Sequence, residues 1–161
     1  MDALDPKIAA AIDALGVAYE RITIDPAYAD TAAFCEHYGY PPEQSGNTII
    51  VASKKAPKQY VACVVLATTQ LDVNRRVRKL MGVSRASFAT AEEMMALTGM
   101  QVGGVTPFAL PAGLPLYVDE RIMGLDWVIL GGGGRDTKIK IAPDVFAKLG
   151  AEVVADLGIE R

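Results

Sequence analysis

The sequence predicts an α+β fold: a mixed, partly antiparallel, barrel-like β-sheet surrounded by helices. Three observations predict it. Two runs of strongly β-forming residues, 48–53 and 59–67, flank the polar stretch Lys54-Lys55-Ala56-Pro57-Lys58, the clearest hairpin signal in the chain. Segments with helical spacing fall between the strands in the order α, β, α, ββ, α, β, α, β, α, ββ, α, which is not the strict alternation of a doubly wound parallel sheet. The chain of 161 residues is 51% apolar and 22% charged, enough to build a core and about the length of one domain, taken here as residues 1–161.

Each element has a local reason. Asp5 followed by Pro6 reads as an N-cap and first helical residue. Ile8, Ile12 and Leu15 keep helical spacing, and Gly16 stops the helix. Residues 17–24 alternate as a strand. Asp30 and Thr31 open a short helix through Tyr38, which Gly39 and the Pro41-Pro42 pair end. Asp72 opens a basic helix over 73–81, closed by Gly82, and Ser87-Phe88 forms a short strand. Thr90 and Glu93 are spaced as a capping box for a helix to Leu97, with Gly99 as its stop. A loop over 99–113 carries four glycines and two prolines. Strand 116–119, a helical turn over 120–124, strands 127–130 and 137–141, a helix over 143–149 and a final strand or apolar tail over 152–157 complete the chain.

The bulk chemistry excludes several classes. The longest apolar run, 60–67, is strand-sized and far short of the ~20 residues that span a bilayer, so no membrane is expected as a partner. Residues 1–7 carry two Asp and lack the basic-then-apolar order of a signal peptide. With only Cys35 and Cys63, well separated, the two thiols read as packing residues in a reduced, cytoplasmic setting. His37 is the only histidine and has no acid partner at a telling spacing, so a Ser-His-Asp or Cys-His site is not indicated. No Cys/His cluster suggests zinc, and no cofactor or metal is called for. The run Gly131–Gly134 follows a strand, but Arg135-Asp136-Thr137 comes next and no long helix opens there, so a dinucleotide loop fails on context.

Net charge is −3, yet its distribution is uneven. From Lys54 to Arg85 eight basic residues face the single acid Asp72, a local +7 on a remainder of −10. That is a basic face on an acidic body, suited either to a polyanion or to solvent.

The segment Gly99-Met100-Gln101-Val102-Gly103-Gly104-Val105-Thr106-Pro107-Phe108-Ala109 is the best candidate for chemistry. Glycines tolerate positive φ and can turn consecutive N–H groups toward one point, while Pro107 stiffens the far end. Such a nest of backbone donors can stabilise a developing oxyanion without any charged side chain; a plain connector is the alternative.

The series Gly99…Val102-Gly103-Gly104-Val105-Thr106-Pro107-Phe108 resembles the signature of the YbaK/prolyl-tRNA-synthetase-associated editing domains. So do Leu110-Pro111-Ala112-Gly113-Leu114-Pro115 with Val118-Asp119-Glu120, and Trp127–Arg135 with Ile139-Lys140-Ile141-Ala142-Pro143-Asp144. Leu71-Asp72…Lys79-Leu80-Met81-Gly82 and Ala91-Glu92-Glu93…Leu97-Thr98-Gly99 fit as well, so the resemblance covers roughly residues 5 to 155. It implies a YbaK-like editing domain acting as a free-standing deacylase on mischarged tRNA, with tRNA as partner, a synthetase as a further candidate, and no DNA. The demand for such a second sieve is physical: a synthetase pocket gains only ~1–3 kcal/mol from one methylene.

Carried over residue by residue, the resemblance makes Asn47, Gly103, Gly104 and Pro107 the catalytic set. Gly99, Val102, Thr106, Phe108, Thr48, Gly132 and Asp136 become candidate substrate contacts, and Lys54, Lys55, Arg75, Arg76 and Lys79 candidate tRNA contacts. Met100, Ile50 and Ser45 are further candidates for the lining. One departure matters. The family usually holds a lysine where Glu43-Gln44-Ser45-Gly46-Asn47-Thr48 places Asn47, which can donate a hydrogen bond but carries no charge. Asn47 takes over the positioning, a lysine elsewhere substitutes, or turnover is weak; the alternative is a non-catalytic tRNA- or synthetase-binding module on the same fold. Lys54 and Lys55 lie roughly 23 Å up the strand and reach a tRNA stem more readily than the reacting bond.

Overall fold

The structure is a computed structural model and describes residues 5–160; the part of the N-terminal reading that concerns residues 1–4 lies outside them. Among the described residues the strands form three sheets, none closed on itself, so the barrel-like sheet expected from sequence gives way to open sheets. The largest is five-stranded, with strands β2 (Gly46–Ser53), β3 (Tyr60–Leu66), β5 (Ala86–Phe88), β6 (Leu116–Asp119) and β9 (Glu152–Val154) in the order β5-β2-β3-β6-β9. Strand β2 is antiparallel to both neighbours, whereas β6 runs parallel to β3 and β9, so the sheet is mixed. Strands β1 (Tyr19–Thr23), β7 (Val128–Gly131) and β8 (Thr137–Ile141) make an antiparallel three-stranded sheet, with β8 in the middle. Strands β4 (Thr69–Leu71) and β10 (Gly158–Glu160) pair by themselves.

The β2–β3 hairpin explains why its strands read as unbroken apolar runs. Ile50 pairs with Ala62 on one face and Val51 with Val61 on the other, and both faces are covered. On one side Ile50, Ala62, Val64 and Leu66 pack with Val118, Val128, Leu130, Ile139 and Ile141 to form the main core. Helix α1 (Pro6–Leu15), capped by the Asp5 carboxylate on the Lys7 amide, seals that core with Ile8 and Ile12. On the other side Val51, Val61, Cys63 and Val65 meet Leu71, Val73, Val77 and Leu157 in a second core. Burial among these apolar groups pushes the Cys63 thiol up to about 12.

The basic helix expected over 73–81 is split. Residues Val73–Val77 form a wide π turn started by the Asp72 carboxylate, and α3 (Arg78–Met81) continues it to Gly82, whose left-handed backbone ends it. The Thr90/Glu93 capping box is present and starts α4 (Ala91–Thr98). The hairpin reaches the same cap: Lys58 donates to Glu93 at 2.7 Å and Tyr60 at 3.0 Å. These donors, led by Lys58, hold the Glu93 carboxyl down at about 2. A helical turn α5 (Glu120–Met123) follows β6, and α6 (Val145–Lys148) precedes β9.

Helix α2 (Thr31–Tyr38) has the most bearing on the site. It lies on the outer face of the three-stranded sheet, where Phe34 and Cys35 pack with Ile24, Ala29 and Ile129. Its first turn, with Asp30, forms one rim of a cleft whose other walls are the start of β2, the glycine-rich loop 99–109 and strand β8. No helix among the described residues is long and apolar enough to cross a membrane.

Candidate functional site

Two glycine-rich segments meet back to back to build the cleft. The Gln101 amide donates to Gly133 O at 3.0 Å, and the Gly133 amide donates to Gly104 O at 2.5 Å. A Cβ on Gly104 would strike the carbonyl of Gly134, and one on Gly131 would strike the carbonyl of Val105. Both positions therefore need glycine for close approach of backbone to backbone. Arg135 clamps the pair from outside, donating to Val102 O at 2.7 Å and to Pro26 O at 3.1 Å. What the glycine run 131–134 touches is the loop 99–109.

The cleft so formed has a volume of about 370 Å³. Asp30, Thr31, Asn47, Thr48, Gly103, Val105, Gly131 and Lys138 line it. Asn47 is held by the Thr31 hydroxyl, which donates to its Oδ1 at 2.5 Å and leaves the side-chain NH₂ as the free donor end. The Thr48 hydroxyl is buried with no hydrogen-bond partner, an exception of the kind that a ligand can resolve. Gly103 turns with φ +86°, and a Cβ there would sit 2.6 Å from Arg135 Nη1.

The loop's amides are unequal. Gly104 N–H is spent on Gln101 O at 2.9 Å, so the amide predicted as an oxyanion donor is committed to the loop's own turn. The amides of Gly103 and Val105 have no protein acceptor among the described residues.

Of the residues expected at the site, Asn47, Thr48 and Gly103 come together in the cleft, with Gly104 packed directly behind it. Others lie elsewhere. Phe108 is fully buried in the main core with Met100 and Ile50, because their apolar side chains turn away from the polar cleft. Thr106 is fully buried with an unpartnered hydroxyl, and Pro107 beside it is buried too. Val102 is 50% exposed and outside the lining. Gly132 packs on the backbone of Thr137. Gly99 and Asp136 line a second cleft, on which Gln101 and Gly133 also lie. Ser45 is buried and bonds Cys35 Sγ at 3.3 Å. His37 is exposed and stacks on Tyr28 with ring centroids 3.7 Å apart.

The predicted basic face divides. Lys54 lines a groove with Asn74, Arg78, Ser84, Arg85 and Ser87, which contains no acid, while Lys55 stays exposed on the hairpin loop. Arg75, Arg76 and Lys79 line a different groove that also holds Asp72 and Asp156, and Arg76 donates to Ala155 O at 3.1 Å.

Sequence reasoning missed Lys138 and Arg135. Lys138 is 5% exposed, and its ammonium donates to Ala29 O at 2.6 Å and to Gly103 O at 3.2 Å. Burial lowers it to about 8, against a partial upward pull from Asp30. The alternation in Thr137-Lys138-Ile139-Lys140-Ile141 did signal that Lys138 and Lys140 leave the main core; it could not signal that α2 would cover Lys138.

Comparison with known proteins agrees with this architecture. The model of the aminoacyl-tRNA editing domain family matches residues 25–149. The "Putative Cys-tRNA(Pro)/Cys-tRNA(Cys) deacylase EbsC" of Enterococcus faecalis is 25% identical over 101 residues, 63% of this chain and 59% of that protein, so the match spans less than two thirds of that relative. The crystal structure of the hypothetical protein APE2540 superposes with a TM-score of 0.84 at 27% identity, covering 94% of this chain and 99% of that one. That of "a putative trans-editing enzyme for prolyl tRNA synthetase" gives 0.81 at 23% identity over 99% and 100%, a shared fold. With its family match running from just after β1 through the last helix, this chain belongs to the aminoacyl-tRNA editing domain family.

Proposed function

We propose that the cleft between α2, β2 and the glycine loop hydrolyses the ester that joins a wrong amino acid to the terminal ribose of a tRNA, in a free-standing, cytoplasmic trans-editing deacylase. The observation that carries this reading is the cleft's set of unspent polar groups. Gly103 and Val105, whose amides have no protein acceptor among the described residues, line one small space together with Asn47, whose NH₂ is free, and Thr48, whose hydroxyl is orphaned. A water attacks the ester carbonyl carbon, and the carbonyl electron pair moves onto its oxygen, where the loop amides receive it. The bond to the ribose oxygen then breaks, and that oxygen takes the proton the water loses. The Asn47 NH₂ orients the ribose or the ester. A cleft of about 370 Å³ has room for an aminoacyl ester. A tRNA partner is consistent with the acid-free groove of Lys54, Arg78 and Arg85.

The test is deacylation of tRNAs charged with Ala, Ser, Thr, Cys and Pro. Cys is on the panel because of the name of the Enterococcus relative. Release from at least one mischarged tRNA, weakened tenfold or more by Asn47→Ala, is the expected result. Tight tRNA binding with no release from any member of the panel would sink catalysis and leave a binding module on the same fold.

A further inference from the structure

Strand β8 runs through the centre of the three-stranded sheet, and its side chains alternate. Ile139 and Ile141 enter the main core, while Lys138 turns to the face that α2 covers. The result is a lysine ammonium almost out of solvent, at the wall of the cleft. Its partners are two neutral carbonyls from two separate segments, Ala29 just before α2 and Gly103 in the glycine loop. The ring of Phe34 lies 5.5 Å away and compensates the charge only in part. No carboxylate lies within ion-pair distance of it among the described residues. The charged groups that face it are Asp30 at the rim and Arg135 behind the loop, which oppose each other; the Cys35 thiol lies on α2. An ammonium has three N–H donors, and two are used.

We infer that Lys138 is the charged group of this site: it pins the Gly103 peptide and presents its remaining N–H to the ester carbonyl oxygen as that oxygen gains negative charge. The inference rests on the deacylase reading and adds to it the one cation the cleft contains among the described residues. The protein solves a geometric problem here. The Gly103 carbonyl, held by Lys138, fixes the peptide plane of the loop, so its neighbouring amides are set before substrate arrives. A buried cation without a counter-ion is costly unless something completes it, and an oxyanion would do so at the moment it forms. Lys138 stays protonated throughout; the water's proton goes to the ribose oxygen.

The experiment compares wild type, Lys138→Met and Lys138→Gln on whichever mischarged tRNA the wild type hydrolyses. It measures kcat and KM from pH 6 to 9.5 with the uncatalysed rate subtracted. The expected result is a fall in kcat of about 10²–10³-fold in both variants with KM changed far less, the usual cost of losing one oxyanion donor. Wild-type kcat should fall as pH rises through about 8. The ester's own α-amino group titrates near there too. The limb that counts is therefore the one present in wild type and missing from the variants. Variants within threefold of wild type, or identical limbs in all three proteins, would overturn the inference while leaving the deacylase reading intact. If neither variant folds, wild-type kcat decides: a limb near 8 on a substrate whose α-amino group is acetylated supports the role, and its absence overturns it. A wild type that hydrolyses no tRNA on the panel removes both readings together.

Discussion

Two buried charges stand in different sheets of this molecule, and they are handled in opposite ways. Asp119, fully buried at the end of β6, accepts from the Arg121 amide at 2.9 Å, the Arg121 guanidinium at 3.0 Å and the Gly158 amide at 2.7 Å. Arg121 reaches on to Gly158 O at 2.8 Å, so one carboxylate ties β6 and α5 to the C-terminal strand β10. Lys138 is nearly as buried and has no acid beside it. A charge whose two oxygens are both answered by the protein is architecture. One left partly answered, at the wall of a cleft, is held in readiness for something the protein lacks.

The sharpest way to break this contrast is to remove Asp119. Asp119→Ala leaves the buried Gly158 amide without its acceptor and takes one partner from the half-exposed Arg121 guanidinium, and an unsatisfied buried donor costs about 1–3 kcal/mol. Urea unfolding followed by circular dichroism should show that loss. Folded protein that remains should deacylate at the wild-type rate per molecule, since Asp119 is not among the residues that line the cleft. A catalytic defect with unchanged stability would reverse the roles assigned to the two charges.

Lys138 should behave in the opposite sense, and pH reads it. Its folded value of about 8 lies below the ordinary 10.5, so between these values the unfolded chain binds more protons than the native one. The lysine's contribution to stability is then fully present above 10.5 and is lost as pH falls through about 8. Compared with Lys138→Met, wild type should gain up to about 3 kcal/mol as pH is raised from 8 to 10.5, the equivalent of the shift. Urea midpoints of the two proteins across that window test it. Parallel curves would mean that the ammonium is solvated and that the contrast with Asp119 is false.

A smaller effect tests the seam between the two glycine segments. Gly131→Ala puts a Cβ against the Val105 carbonyl and the backbone of Gly104. Overpacking of this kind costs about 1–3 kcal/mol. Because the wall that moves carries the unspent amides of Gly103 and Val105, deacylation should fall by more than the lost stability explains. Equal losses of folded fraction and activity would make the seam a packing feature only.

How much of this was legible beforehand follows from which contacts are local. The Thr90–Glu93 capping box, the Asp5-Pro6 helix start and the β2–β3 hairpin rest on residues a few positions apart, and all three are present. Strand β4 was not legible: three residues pair with Gly158–Glu160, almost ninety positions on, and nothing in Thr69-Gln70-Leu71 announces it. Phe108 illustrates the same limit at the site. An apolar residue in a signature loop can line a pocket or anchor the loop in the core, and only the packing against the main core decides. The glycine loop was legible as a special backbone, but which of its amides stays free was not, because Gly104 N–H is taken by a turn within the loop. Lys138 is the clearest case. A lysine that alternates with isoleucines reads as solvent-facing until α2 is laid across it.

The smallest expected effect concerns the basic face. The groove of Lys54, Arg78 and Arg85 holds no acid, whereas that of Arg75, Arg76 and Lys79 contains Asp72 and Asp156. A polyanion gains most where no carboxylate opposes it, so these grooves repeat in milder form the difference between an unanswered and an answered charge. Charge reversal at Lys54 and Arg85 together should weaken tRNA binding and flatten its dependence on salt. Each lost phosphate contact removes about 0.7–0.9 from the slope of log K against log salt. The same reversal at Arg75 and Arg76 should change the slope less. Equal slopes for the two double variants, measured by filter binding from 50 to 300 mM salt, would show that tRNA does not distinguish the two grooves.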